Sequence, residues 1–150
     1  MALKARIQTE MKAALLGGDR FVGETLRNLK AAILNEEIAT GVREAGLADD
    51  ETEKVIAREV KKRMESASIY RSSDRPELAE PEEREAEILR TFLPKQLSEA
   101  EIQAIVSEKV AELGATTQSD MGKVIGAVKA VVGTKADGAT VADLVKKALI

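Results

Sequence analysis

The chain has 150 residues, of which 44% are hydrophobic, and its 23 Lys and Arg residues stand against 26 Asp and Glu residues. It contains neither Cys nor His, which excludes disulfides, thiolate nucleophiles and sulfur-ligated metals and removes the commonest general base. We therefore expect no metal and no other cofactor. The slightly acidic balance is not that of a nucleic-acid-binding protein as a whole, so any such binding would need a local basic patch.

Apolar and aromatic residues limit the remaining classes of function. No apolar run approaches the ~18 residues that a membrane span requires, and the first residues lead into an amphipathic pattern rather than a secretory leader. We predict a soluble cytoplasmic protein with no membrane partner. The aromatic residues Phe21, Tyr70 and Phe92 are too few and too scattered to form a platform for stacked bases.

Helical periodicity begins at the amino terminus and predicts two helices in succession. The first should end at Gly17 and Gly18, because glycine commonly terminates a helix. Asp19 can cap the second helix, which should end before Gly41. The two apolar stripes comprise Leu3, Ile7, Met11 and Leu15 in the first helix, and Val22, Leu26, Leu29 and Ile33 in the second.

A polar connection from residue 42 to residue 49 leads into a third, longer helix. Asp50 and Glu53 have the spacing of an amino-terminal capping pair, and the apolar stripe continues to about Tyr70. Pro76 should end this segment, because the residue before a proline disfavours helical geometry.

The fourth helix contains a second proline, Pro81, and two interpretations stay open. The helix is either kinked at Pro81 or begins at Glu80, and its certain part covers residues 82–92. Four glutamates lie close to this start, where the helix dipole favours carboxylates. We interpret them as a solvated face rather than as a metal cage; they are Glu82, Glu83, Glu85 and Glu87.

Local signals in the last third of the chain predict three short helices. Pro94 ends the preceding helix, Ser98 and Glu101 form a capping box, and Gly114 terminates the helix that follows. Two further helices should cover residues 117–132 and 138–149, with Asp137 as the cap of the last one.

The sequence contains no strand pattern, so we predict an all-α protein. An antiparallel helical domain should cover residues 1–95, and a compact three-helix domain should cover residues 96–150. The relative orientation of the two domains and the oligomeric state stay open.

Two glycines, Gly122 and Gly126, fall inside the predicted helix 117–132. Each costs roughly 1 kcal/mol relative to alanine in a helix interior, so a compensating reason is needed. One explanation is close packing of this helix against a neighbour. The other is that the bare ridge lies against a ribose–phosphate backbone, with Lys123 and Lys129 as phosphate contacts.

Five segments carry a resemblance to a known family, in the order in which that family has them. Met121–Val128 and Gly133–Gly138 resemble the signature of the YqeY family and of the related tail domain of GatB, a subunit of the tRNA-dependent amidotransferase. Leu26–Ile38, Arg58–Arg63 and Leu93–Ser98 are similar to the free-standing YqeY proteins. The resemblance covers nearly the whole chain, and the glycine–lysine segment is its most specific part.

The resemblance implies a pair of α-helical domains whose carboxy-terminal half, in GatB, contacts the tRNA elbow. It suggests tRNA as a partner, together with an aminoacyl-tRNA synthetase or amidotransferase complex. We expect an accessory module without catalytic activity of its own, because the catalytic cradle of GatB is absent. The nucleic-acid-binding residues would be Gly122, Lys123, Gly126, Lys129 and Lys135.

Two alternatives stay open beside the RNA-binding module. The first is a protein-interaction module that docks through the apolar stripes of the amino-terminal helices. The second is an enzyme, since the resemblance extends to carbon–nitrogen ligases with glutamine as amide donor. No residues of this sequence support that ligase chemistry by themselves. A separate enzymatic arrangement is a serine–lysine nucleophile made of Ser119 and Lys123, four residues apart on one helical face, which would require a desolvated Lys123.

Overall fold

The computed structural model describes residues 2–150, and Met1, the first residue of the predicted amino-terminal domain, lies outside the described residues. Within this range the chain is all-α and has no strand, which confirms the predicted fold class. The helices are α1 (Ala2–Leu16), α2 (Arg20–Ala39), α3 (Asp49–Ser72), α4 (Pro76–Arg90), α5 (Glu99–Leu113), α6 (Met121–Val132) and α7 (Gly138–Ala148).

The chain divides into two compact units between Leu93 and Pro94, and each unit has its own hydrophobic core. No helix in residues 2–150 is both long enough and apolar enough to cross a membrane.

The first unit contains α1 to α4, with α1 packed against α2 and α3 packed against α4. Asp19 caps α2 as predicted, because its carboxylate accepts a hydrogen bond from the Val22 backbone N–H at 3.2 Å. The predicted apolar stripes supply most of the core, whose fully buried side chains include Ile7, Leu26, Leu29, Ile56 and Leu89.

The predicted start of α3 is wrong. The helix begins at Asp49, and its N-cap residue is Ala48 rather than Asp50. No side chain makes a capping hydrogen bond there. The cause is tertiary: the preceding residue Leu47 is buried, and its backbone N–H donates to the Glu37 carboxylate at 3.1 Å. Because this contact holds the chain just before the helix, the helical turn forms ahead of Asp50.

α4 begins at Pro76 and continues through Pro81, so the interpretation in which the helix starts at Glu80 is wrong. Proline is favoured in the first helical turn, where its missing N–H has no intrahelical partner in any case. The glutamates of α4 are not simply a solvated face. Glu83 accepts hydrogen bonds from Arg71 on α3, one of them at 2.8 Å, and Glu85 accepts one from Arg63 at 3.0 Å.

The second unit packs α5, α6 and α7 against one another. The capping box is present as predicted, since Ser98 accepts from the Glu101 N–H and Glu101 accepts from the Ser98 N–H. Gly114 ends α5 with φ of 60°. Asp137 caps α7 by accepting from the Thr140 N–H at 2.9 Å.

The helix predicted over residues 117–132 is shorter in the structure. A 3₁₀ turn occupies Gln118–Asp120, and α6 begins only at Met121. The Asp120 carboxylate accepts hydrogen bonds from the backbone N–H groups of Thr116 and Thr117, at 3.0 and 3.2 Å. These bonds hold the chain in a tight turn instead of a first α-helical turn.

Candidate nucleic-acid interface

Helix α6 presents one apolar face to the core of the second unit. Its buried residues Val124, Val128 and Val132 recur at four-residue spacing and therefore lie on one side of the helix. Gly122 and Gly126 lie on the opposite side and are exposed. A β-carbon placed on either glycine would meet no atom within 4 Å.

This geometry excludes one of the two interpretations of the glycines, and contact with a ribose–phosphate backbone stays a prediction. Close helix packing is wrong for both Gly122 and Gly126, since no neighbouring helix occupies the space that a side chain would fill. The other interpretation requires an open ridge, and an open ridge is what α6 presents.

Two lysines border this glycine ridge, which we define as the exposed surface over Gly122 and Gly126. A helix turns about 100° per residue, so Lys129 lies about 20° from Gly122 on one side and Lys123 about 100° from it on the other. Both lysines are exposed. The helix therefore brings four of the five predicted site residues onto one surface.

Lys129 also reaches the start of α7. A β-carbon added to Gly138, the first residue of α7, would lie 3.4 Å from the Lys129 Nζ atom and 3.5 Å from its Cε atom. The lysine side chain therefore lies along the bare α-carbon of Gly138. Gly138 was not among the residues predicted for the site. A glycine directly after a capping aspartate was the available signal, but its meaning depends on the distance between α6 and α7.

The fifth predicted residue, Lys135, lies beyond the end of α6. It ends the 3₁₀ turn Gly133–Lys135 and is exposed, so it is not part of the face that carries the glycine ridge. Its backbone carbonyl accepts a hydrogen bond from the Leu97 N–H at 2.8 Å. Gly133 has φ of 52° and ψ of −128°, a combination that glycine adopts far more readily than other residues.

The charge around α6 differs from that of the unit as a whole. Residues 94–150 contain seven lysines and seven Asp and Glu residues, whereas residues 121–136 contain three lysines and no carboxylate side chain. Asp120 and Asp137 border this segment, and both carboxylates accept hydrogen bonds from backbone N–H groups. The bonds from Thr116 and Thr117 lower the pKa of Asp120. The exposed face of α6 is therefore locally cationic.

Ser119 and Lys123 do not meet the condition set above for a serine–lysine nucleophile. Ser119 lies in the 3₁₀ turn that precedes α6, and its Oγ atom is 2.7 Å from the Thr117 Oγ1 atom. Lys123 is exposed rather than desolvated. Across residues 2–150 there is also no group of three carboxylates that could hold a metal ion.

A comparison with known protein families identifies the family of this chain. A family model described as "Yqey-like protein" matches residues 4–149. The chain belongs to the YqeY family. The match spans both units, so the resemblance identified from the five sequence segments is confirmed.

Two curated proteins resemble this YqeY chain, and both carry the name "Altered inheritance of mitochondria protein 41, mitochondrial". The protein from Clavispora lusitaniae is 29% identical over 92 residues, which cover 61% of this chain and 52% of that protein. The protein from Lachancea thermotolerans is 30% identical over 111 residues, or 73% of this chain and 58% of that protein. The YqeY chain thus spans little more than half the length of these relatives. Their names describe them as mitochondrial; the cytoplasmic location of this chain stays a prediction.

Proposed function

We propose that the second unit binds the sugar–phosphate backbone of tRNA through the exposed face of α6. The protein would act as an accessory RNA-binding module in the cytoplasm, without catalytic activity of its own. The observation that carries this proposal is the open glycine ridge between Lys123 and Lys129.

Gly122 and Gly126 reduce the stability of α6 without making a packing contact in return. Each reduces helix stability by roughly 1 kcal/mol relative to alanine, and no packing contact at Gly122 or Gly126 offsets that cost. A ridge without side chains lets a ligand approach the helix backbone closely. The flanking ammonium groups can then neutralise phosphates on either side.

The number of cations sets the affinity to be expected. Lys123 and Lys129 on this face, with Lys135 beyond the end of α6, provide at most three phosphate contacts, which is consistent with dissociation constants of about 10⁻⁴ to 10⁻⁶ M at physiological salt. Such weak binding suits a module that works beside an aminoacyl-tRNA synthetase or an amidotransferase complex. The choice of tRNA rather than another RNA is supported by the resemblance to the GatB tail.

A salt titration tests the proposal. Binding of purified tRNA would be measured by fluorescence anisotropy at two salt concentrations, for the unaltered chain and for Lys123→Gln and Lys129→Gln. Each substitution should weaken binding and reduce the slope of log K against log salt by about one. Lys61→Gln removes an exposed lysine of α3 in the first unit and serves as the control, which should bind as the unaltered chain does. Absence of binding at tens of micromolar tRNA in low salt would refute the proposal.

The absence of catalysis is tested separately. The purified chain would be incubated with mischarged Glu-tRNA, glutamine and ATP beside an active amidotransferase. We expect no amide transfer by the chain alone. Transfer at a rate comparable to that of the amidotransferase would show that the chain is an enzyme.

A further inference from the structure

A cleft of about 400 Å³ lies between α1 and α2 in the first unit, whereas the proposed RNA site belongs to the second unit. Its walls combine apolar side chains with two ammonium groups. The residues that matter here are Lys4 and Ile7 on α1, and Lys30, Ala31, Leu34 and Glu37 on α2.

Exposed apolar residues extend this cleft along α2. Ala31, Leu34 and Ile38 recur at spacings of three and four residues and therefore share one face of the helix. Leu34 is 40% exposed and Ile38 is 55% exposed. This face spans two turns, or about 10 Å, which is enough to contact two successive turns of a second helix.

The charged groups around this face are mainly cationic. Glu37 is the carboxylate within the cleft; it is buried and pairs with Lys4. Lys30 donates to the neutral side chain of Gln8 rather than to a carboxylate. Lys12 is exposed and lies one turn after Gln8 on the same side of α1.

Arg27, one turn before Ala31, extends the cationic border along α2. It pairs with Glu24 at 3.2 Å. Four cations thus border the face, but Lys4 and Arg27 are paired with Glu37 and Glu24, so the net positive charge along the face comes from Lys12 and Lys30.

We infer that the face formed by the cleft and by Leu34 and Ile38 docks an acidic amphipathic helix of a partner protein. Apolar side chains of that helix at i and i+4 would cover Leu34 and Ile38, and its flanking Asp and Glu residues would meet Lys30 and Lys12. A nucleic acid fits this face less well, because its exposed centre is aliphatic and has no aromatic ring for base stacking.

A selection experiment tests both the charge of the partner helix and the face of the chain to which it binds. A displayed library of helical peptides about four turns long would carry Leu along one face and a random choice of Glu, Lys or Ser elsewhere. It would be selected on the full chain and counter-selected on Ile38→Glu. We expect the enriched peptides to carry a clear excess of Glu over Lys.

The best enriched peptide would then be titrated against single variants. Ile38→Glu should weaken binding by about tenfold or more. The matched control is Ile69→Glu, which changes a 65% exposed isoleucine of α3 in the same unit, and it should leave binding unchanged. Peptide binding should also persist in the presence of saturating tRNA.

Four outcomes would overturn the inference. They are enrichment of Lys-rich peptides, no enrichment beyond that on Ile38→Glu, displacement of the peptide by tRNA, and a dimer in sedimentation that Ile38→Glu converts to a monomer. The last would show that a second copy of the chain occupies the face. Apart from displacement by tRNA, these results do not depend on whether the second unit binds tRNA.

Discussion

The side chain of Leu15 lies directly over the bare α-carbon of Gly23, where α1 packs against α2. A β-carbon placed on Gly23 would lie 2.7 Å from the Leu15 Cγ atom and 3.5 Å from the Leu15 backbone nitrogen. Gly23 is buried, so this glycine has the close helix contact that Gly122 and Gly126 lack. The two kinds of helical glycine should therefore respond in opposite ways to the same substitution.

Gly23→Ala should destabilise the first unit. The added methyl group must displace Leu15, and such overpacking costs about 1–3 kcal/mol. The free energy of unfolding would be measured by urea titration with circular dichroism, and amide exchange in α1 and α2 would assign the loss to this unit. An unchanged or raised stability would mean that Leu15 can move aside without cost.

Gly122→Ala and Gly126→Ala should each stabilise the second unit by about 0.5–1 kcal/mol. A methyl group meets no neighbour at either position, and alanine loses less backbone entropy on forming a helix. Amide exchange in α6 measures the gain.

Gly126→Leu should likewise leave the unit folded but weaken tRNA binding. If Gly126→Leu unfolds α6 instead, a packing partner must cover this ridge.

Gly133→Ala should destabilise the second unit more than Gly114→Ala. Gly114, with φ of 60° and ψ of 30°, occupies the left-handed helical well, which costs an L-residue about 1–2 kcal/mol. Gly133, with φ of 52° and ψ of −128°, lies outside that well and should cost up to about 3 kcal/mol. Thermal unfolding of the two variants side by side gives the comparison, and equal losses would contradict it.

Glu37 should make the stability of the first unit depend on acid pH. The ion pair with Lys4 and the hydrogen bond from the Leu47 N–H lower the pKa of Glu37 in the folded state. Its stabilising contribution is therefore fully present above its unfolded pKa of 4.5 and is lost as the pH falls through the lower folded pKa. Glu37→Gln should cost about 1–3 kcal/mol at pH 7.

The pH profile separates this effect from a general loss of packing. The stability difference between the unaltered chain and Glu37→Gln should shrink as the pH falls from 4.5 through the lower folded pKa, because the carboxylate is protonated first in the unfolded state and then in the folded state as well. Glu10→Gln, at an exposed carboxylate paired with Arg6, is the control and should show little difference at any pH. A constant difference down to pH 3 would argue against the ionised pair.

Most of the secondary structure could be predicted because its signals are local. Asp19, Ser98 with Glu101, and Asp137 cap helices within three residues of themselves, and apolar spacing identifies the buried face of each helix. The starts of α3 and α6 were the exceptions: α3 follows a contact between Leu47 and Glu37, ten residues apart, and α6 begins at Met121 after a 3₁₀ turn.

The candidate site could be located from the sequence but not interpreted from it. Helical periodicity alone places Gly122, Gly126, Lys123 and Lys129 around one surface of α6. Whether another helix covers that surface depends on how the helices pack, which periodicity does not reveal. The pairing of Glu83 and Glu85 with α3 was missed for the same reason, because an isolated helix gives no information on its neighbours.

By itself the sequence determined an all-α chain, the position of nearly every helix and the membership of the YqeY family, since periodicity, caps and motifs are properties of nearby residues. Only the tertiary structure decided that the Leu15 side chain occupies the space beside Gly23, while the space beside Gly122 and Gly126 is empty. The physical reason is that a glycine has no side chain, so its role is set by the atoms that approach it, and those atoms can come from another helix.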